Sequence, residues 1–322
     1  MVRELDRSAR LYVAGHRGLV GSAVWRAARA GGFTDLIGRT SSELDLRDRE
    51  ATSAFFRAAR PQTVVLAAAR VGGILANSTY PCEFLSDNLR IQLNVLDAAH
   101  EAGVENLLFL GSSCIYPKLA RQPIREDALL GGPLEPTNDA YAIAKIAGIM
   151  HVQALRREYG HRYISAMPTN LYGPHDSFDT QNSHVLPAMI KRFADACAGG
   201  LDRVAIWGTG TPRREFLHVD DIARTCLFLL ESYDEPEPIT VGVGADISIA
   251  ELAELVADVV GFGGAIDNDL SKPDGTPQKL LDVSRINSLG WKAQITLREG
   301  IVRTYDEYRR TRAADPSRQE LS

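Results

Sequence analysis

The sequence predicts an α/β protein built on a doubly wound parallel sheet, with a smaller α/β domain attached. Three observations predict it. Short apolar runs suited to buried strands alternate with longer segments of helical spacing. The first run enters a glycine-rich turn that opens a helix, the arrangement a dinucleotide pyrophosphate needs. In mid-chain, Tyr141 and Lys145 share one face at the start of an Ala-rich helical segment.

The bulk properties narrow the class. A chain of 322 residues is long enough for one large domain or one and a half, with a sizeable core. With 24% charged residues and a formal net charge of −5, it reads as a soluble, mildly acidic protein with no nucleic-acid or membrane partner expected. Cys82, Cys114, Cys197 and Cys226 are widely scattered, which signals neither a disulfide framework nor a zinc site, and no metal is expected. The expected compartment is the reducing cytoplasm. Residues 1–10 are charged and lack the apolar run of a signal peptide, and no apolar stretch approaches transmembrane length.

Taken in order, Leu11-Tyr12-Val13-Ala14 is the first strand, and Gly15-His16-Arg17-Gly18-Leu19-Val20-Gly21 is the turn. Helical spacing follows to Gly31-Gly32. The glycines allow close backbone approach to a pyrophosphate on the helix N-terminus, although the spacing is Gly-x-x-Gly-x-x-Gly. The second strand, Leu36-Ile37-Gly38, ends in Arg39-Thr40-Ser41, not in the carboxylate that would bond an NAD ribose. Arg17 and Arg39 suit a 2′-phosphate instead, so NADP (NADPH) is the expected cofactor, while Glu43 and Asp45 keep NAD open. The segment Asp45-Leu46-Arg47-Asp48 borders the adenine or caps the next helix.

Thr63 to Ala69 reads as a buried strand ending in small residues, followed by a loop at Val71-Gly72-Gly73-Ile74, a helix over 88–102 and another buried strand over 106–110. That strand runs into Gly111-Ser112-Ser113-Cys114-Ile115-Tyr116-Pro117, hydroxyls and a thiol at a strand C-terminus, where open α/β sheets collect ligands. Thr137 or Asn138 is expected to cap a helix over 140–159 that ends at Gly160. An ammonium beside the Tyr141 phenol would favour the phenolate and ready it for proton exchange with a carbonyl. Further on come a strand over 163–167, the stretch Pro168-Thr169-Asn170-Leu171-Tyr172-Gly173-Pro174, helices over 220–231 and 249–260, and a polar, frayed last dozen residues. The expected division is a dinucleotide domain of 1–179, to which 218–239 return, and a smaller domain of 180–217 with 240–322.

Six of these signals stand in one order: Gly15-x-x-Gly18-x-x-Gly21, Asp45-Leu46, Ser112/Ser113, Tyr141-x-x-x-Lys145, Asn170-Leu171-Tyr172-Gly173-Pro174 and Phe216-Leu217-His218-Val219-Asp220-Asp221. In this the chain resembles the extended short-chain dehydrogenase/reductases that act on nucleotide sugars, which implies a Rossmann-like fold. Its stretches Val71-Gly72-Gly73-Ile74, Leu134-Glu135-Pro136-Thr137-Asn138, Met167 to Asp176, Asn182-Ser183-His184-Val185 and Ser271 to Pro277 are similar to the epimerase-reductase subgroup. That subgroup inverts C3 and C5 of a GDP-4-keto-6-deoxy sugar and reduces its 4-ketone with NADPH.

The resemblance implies a role for each matching residue. Ser112 would bond the sugar 4-oxygen, Tyr141 would donate the proton, and Lys145 would hold the nicotinamide ribose and depress the Tyr pKa. Cys114 and His184 would exchange the protons at C3 and C5, which the ketone acidifies. Cofactor contacts would come from Gly15, His16, Arg17, Gly18, Leu19, Val20, Gly21, Arg39, Ser41, Asp45, Leu46, Leu110, Gly111, Ser113, Lys145, Pro168, Thr169, Asn170, Leu171 and His184. Substrate contacts would come from Arg192, Trp207, Arg214 and Asp274, an aromatic face and guanidiniums being suited to a base and a diphosphate. Some family members carry a further basic residue where Ser41 stands, which implies a weaker preference for NADPH here. Family analogy further implies a homodimer in which the helices near 88–102 and 140–159 form a four-helix bundle.

Two other readings compete. An NAD-dependent 4-epimerase or 4,6-dehydratase shares the fold, but a dehydratase would carry acidic and basic residues where Ser113 and Cys114 stand. A non-catalytic dinucleotide sensor would have little need of both Tyr141 and Lys145.

Overall fold

Six parallel strands form the central sheet of the computed structural model, which describes residues 4–179, 183–272 and 274–314. In chain order the elements are β1 (Leu11–Ala14), α1 (Leu19–Ala30), β2 (Leu36–Ile37), α2 (Arg49–Ala59), β3 (Thr63–Leu66), α3 (Ile74–Thr79), α4 (Pro81–Glu101), β4 (Asn106–Leu110), α5 (Asp139–Tyr159), β5 (Arg162–Pro168), β6 (Asn170–Tyr172), α6 (Val185–Ala198) and β7 (Arg203–Trp207). There follow β8 (Arg213–Arg214), β9 (Phe216–His218), α7 (Val219–Ser232), β10 (Ile239–Val241), β11 (Ile247–Ser248), α8 (Ile249–Val260), β12 (Ala265–Asp269), β13 (Gln278–Lys279), α9 (Ser284–Ser288) and α10 (Leu297–Ala314). The sheet order is β2-β1-β3-β4-β5-β10, so the winding reverses between β1 and β3, where such sheets bind ligands at the strand C-termini.

Strand alternation divides the core into two layers. Leu11, Val13, Val65, Leu108, Leu110, Ile164 and Val241 pack against Val24 and Ala28 of α1 and Ile222 and Cys226 of α7. The intervening Tyr12, Val64, Leu66, Leu107, Phe109 and Tyr163 pack against Phe56, Val95, Leu96, Ile149 and Val152 of α2, α4 and α5. A third cluster lies apart from the sheet, where Leu186, Ile190, Phe193, Val204, Ile206, Leu252, Val256 and Ile301 gather from α6, β7, α8 and α10. Burying one such side chain stabilises by about 1.5–3 kcal/mol, so the two-layered sheet is the firmer platform.

The elements depart from expectation at few points. The helix expected from Asn88 begins earlier, because Pro81 occupies its first turn, where a missing N–H costs nothing. The loop at 71–74 continues into the short α3. Neither Thr137 nor Asn138 caps α5 with its side chain: Thr137 bonds Glu135, Asn138 turns to Cys114, and the Asp139 carboxylate accepts the Ala140 N–H. Asp48 does cap α2, accepting from the Ala51 N–H at 3.0 Å. The sixth strand, β10, spans residues 239–241, and Ile286 and Trp291 pack into the first core layer, so the chain beyond 239 still contributes to the large sheet's surroundings. Asn182, Pro273 and residues 315–322 lie outside the described residues. No helix among those described is long and apolar enough to cross a membrane.

Candidate active site

The glycine turn forms a cradle that side chains would fill. Gly15 has φ +81°, and a Cβ there would meet the Cα and N of Ala68, just past the end of β3, at 2.9 Å. A Cβ on Gly21 would lie 2.1 Å from the Gly15 carbonyl oxygen. Gly18 caps α1 without a side-chain bond, so the first N–H groups of that helix point outward as an anion site. These features fit a dinucleotide pyrophosphate. Arg17 and Arg39 are both exposed at the rim, and both charges act on Glu43, whose carboxyl is held low first by its bonds from Thr40. Asp45 is engaged by Arg47, with contacts of 2.8 and 2.9 Å, and does not stand alone at the rim.

The candidate proton-handling groups sit at the end of β4 and on the neighbouring helix α5. Ser112 ends the β4 extension, and its Oγ accepts from the Cys114 N–H at 3.2 Å. Lys145 on α5 is buried and donates to the Leu110 carbonyl at 2.7 Å, with its ammonium 4.8 Å from the Phe109 ring centroid and 5.8 Å from that of Tyr141. Burial lowers its pKa to about 7. The expected depression of the Tyr141 pKa is overturned. Burial raises it above the ordinary phenol range, the nearby Cys114 adds to the rise, and hydrogen bonding with Ser112 opposes it. The reason is geometric: the Lys145 ammonium faces a backbone carbonyl and the tyrosine's ring, so desolvation dominates.

Cys114 is half-buried and free. Its sulfur receives the Asn138 amide at 3.4 Å and the Lys279 ammonium at 3.7 Å. Burial lowers the pKa of Arg214, and the neighbouring Cys114, Glu135 and Asp274 oppose that. His184 stands at the N-cap of α6 in extended backbone, φ −69° and ψ 162°, and does not cap the helix with its ring. Its ring keeps solvent-exposed surface, while the protein atoms around it desolvate the imidazolium and lower its pKa. Among the described residues, no hydrogen bond or ring contact joins His184 to Ser112, Cys114 or Tyr141.

The expected substrate residues divide into two places. Arg214 on β8 lies with the Cys114 group, its Nη1 donating to the Arg213 carbonyl at 2.8 Å. Asp274 accepts from the Thr209 N–H at 2.7 Å and hydroxyl at 3.0 Å and so pins the turn after Trp207. Arg192 and Trp207 line a separate cavity of about 760 Å³.

Sequence reasoning missed three residues. Lys279 comes to Cys114 from β13, far along the chain, and carries no local signal. Glu135 accepts from Lys118 at 3.1 Å, Thr276 at 3.1 Å and Thr137 at 3.3 Å, joining the Cys114 loop to the Asp274 loop. Glu215 is fully buried and accepts the N–H groups of Val243, Gly244 and Leu281 at 2.6, 2.7 and 3.0 Å, while its own carbonyl receives Thr169 and Asn170. Charged residues inside the Phe216-Leu217-His218 neighbourhood offered one signal for it, since a carboxylate next to buried strand residues must find donors.

A parallel nucleotide-binding sheet with a Ser-Tyr-Lys set at its strand ends defines a class, and a family model described as the NAD dependent epimerase/dehydratase family matches residues 11–244. The chain belongs to that family. Its relatives within that family include GDP-L-fucose synthases. GDP-L-fucose synthase 1 of Arabidopsis thaliana is 56% identical over 303 residues, 94% of each chain. The GDP-L-fucose synthase of Escherichia coli (strain K12) is 52% identical over 305 residues, 92% of this chain and 95% of that one. Among solved structures, a GDP-L-fucose synthetase from Naegleria fowleri bound to NADP is 30% identical with a TM-score of 0.89, covering 97% of this chain and 96% of that one.

Proposed function

We infer that this protein converts GDP-4-keto-6-deoxy-D-mannose to GDP-L-fucose, inverting C3 and C5 and reducing the 4-ketone with NADPH. The observation that carries the reading is the meeting of Ser112, Tyr141, Lys145 and a positioned thiol, Cys114, at one strand edge in a chain more than half identical to GDP-L-fucose synthases. NADPH supplies hydride when bound. It would lie across the Gly15–Gly21 cradle, with Arg17 and Arg39 toward its 2′-phosphate and Leu110, Gly111, Ser113 and Pro168 to Leu171 along the strand ends.

The chain's own groups handle the protons. Burial keeps the Tyr141 phenol protonated at neutral pH, the state an acid needs before giving a proton to the ketone oxygen. Ser112 bonds the same oxygen and polarises the carbonyl, which acidifies the hydrogens on C3 and C5. Cys114 and His184 form the pair that removes and returns those protons. Lys279 and Asn138 both contact the sulfur and so restrain the direction in which it meets the sugar.

Residues 1–179 with 218–239 serve the dinucleotide, and 180–217 with 240–322 serve the nucleotide sugar. The protein works in the cytoplasm as a homodimer, without membrane or nucleic-acid partners. Leu93 on α4 and Ile143 and Met150 on α5 are large apolar side chains 41%, 48% and 48% exposed on two helices packed together, a face suited to a second copy. Light scattering at micromolar concentration showing a monomer would reject the dimer. The function is tested by NADPH oxidation with GDP-4-keto-6-deoxy-D-mannose and identification of the product by NMR. GDP-L-fucose supports it. Unchanged NADPH would reject the substrate and direct the search to UDP- and dTDP-sugars.

A further inference from the structure

The cavity beside α6 brings together three kinds of group. Strands β7 and β12 form a parallel ladder in which Asp269 is the register partner of Trp207, so the two side chains leave the same face. From α6, Arg192 reaches over that ladder, its Nη1 donating to the Ala205 carbonyl at 2.6 Å. All three line the cavity of about 760 Å³, within the size range of small-molecule sites. Trp207 is 38% exposed. The Lys272 ammonium lies 5.5 Å from its ring centroid, so a cation already stands over the indole.

An indole stacks on any base and selects none. Selection falls to the polar pair. Both hydrogen bonds to the Asp269 carboxylate among the described residues, from the Ser271 N–H at 3.1 Å and the Ser271 hydroxyl at 2.6 Å, fall on Oδ1. They fill its two lone pairs, fix the carboxylate's orientation and favour its ionised form. Two lone pairs on Oδ2 remain. A base that matches must offer two adjacent donors to Oδ2 and an acceptor to the neighbouring guanidinium. Guanine does so with N1–H, N2–H and O6. Adenine would turn its unprotonated N1 toward the carboxylate, and uracil would turn a carbonyl toward it.

We propose that Asp269 reads the N1–H and N2–H edge of the substrate's guanine, with Arg192 on O6 and Trp207 under the ring, an assignment that rests on the GDP-sugar reading above. Asp269 is then the residue that separates GDP-sugars from UDP- and ADP-sugars.

The test compares dissociation constants of GDP, inosine diphosphate, ADP and UDP for the wild type and for Asp269→Asn, by calorimetry. Inosine differs from guanosine only in lacking the 2-amino group, and asparagine keeps an acceptor for Ser271 while replacing Oδ2 with a donor. The wild type is expected to bind GDP about tenfold more tightly than inosine diphosphate, and Asp269→Asn to weaken GDP by about ten- to a hundredfold while the GDP-to-inosine-diphosphate ratio falls toward one. A wild type that binds the two nucleotides equally would overturn the proposal without any variant, as would a variant that keeps the wild-type ratio. Turnover of the GDP-4-keto sugar by the same wild-type preparation separates the two levels. Turnover with no role for Asp269 removes only this assignment, whereas no turnover together with no preference for GDP over UDP removes the parent reading as well.

Discussion

The two chemistries proposed for the site rest on different kinds of support. Tyr141 and Lys145 stand on one helix packed over β4, and Ser112 follows that strand directly, so the reducing groups share a two-layered, fully buried platform. Cys114 and His184 have no such common base. The thiol sits in a short turn held by Asn138 and Lys279, and the imidazole stands at the start of α6 in the outlying cluster. On the proposed assignment, reduction would depend on local sequence placed on rigid elements, whereas epimerisation would depend on two segments far apart in sequence that no contact joins among the described residues. It follows that single changes should separate the activities.

The largest effect is expected from Tyr141→Phe. Removing the proton donor should lower NADPH oxidation about a thousandfold while solvent deuterium still enters C3 and C5, as NMR of the sugar would show. Equal loss of both would erase the distinction. Cys114→Ser tests the other side: inversion should slow about a hundredfold while the 4-ketone is still reduced, so that the product is an uninverted or half-inverted deoxy sugar. Lys279→Met should slow deuterium exchange about tenfold, the size of one lost charge-assisted contact, with reduction of an already inverted ketone unchanged. If exchange and reduction fell together, Lys279 would belong to both halves.

Two smaller effects concern the cofactor side. Arg17 and Arg39 are exposed cations within reach of Glu43's charge, so kcat/KM should favour NADPH over NADH by only about tenfold, and Arg39→Ala should shrink that ratio. Equal values in the wild type would remove the 2′-phosphate assignment. Lys145 supplies a signature in stability. Its pKa is about 7 in the folded protein against about 10.5 for an unperturbed lysine, so between these values the unfolded chain binds more protons than the native one. Stability from this group therefore rises as pH climbs from about 7 toward 10.5. Thermal melts should show the wild type gaining on Lys145→Met across that window, and a constant difference would mean that the ammonium is not desolvated.

Much of the large sheet was legible. Strand runs at 11–14 and 106–110, and the α8 and α5 segments, were legible as such, and the run expected over 63–69 forms a strand over 63–66, because burial on both sides of a parallel sheet demands apolar runs. The Ser112–Cys114 cluster was legible from its position at a strand end and the Tyr141–Lys145 pair from helical spacing, whereas the choice of Ser112 within the cluster came from the family resemblance. What was not legible depended on long-range approach. The Lys279 contact and the Glu135 and Glu215 networks join residues far apart in sequence, and no periodicity encodes them. The direction of the Tyr141 pKa was misjudged for a related reason: spacing tells that an ammonium and a phenol share a face, but not that the ammonium donates its hydrogen bond to the Leu110 carbonyl.

Glu215 bears on how far the protein is modular. Its carboxylate accepts the amides of Val243, Gly244 and Leu281, while its carbonyl anchors the Thr169-Asn170 turn beside the cofactor strands. A chain ended at residue 239 would lack most of β10 and every one of those three amides, stranding a charge in an apolar interior. Shuffling of sugar-recognition halves onto a common dinucleotide half, whether by recombination or in the laboratory, would thus have to carry this clasp across the junction; swaps that respect only the residue-239 boundary should yield insoluble protein.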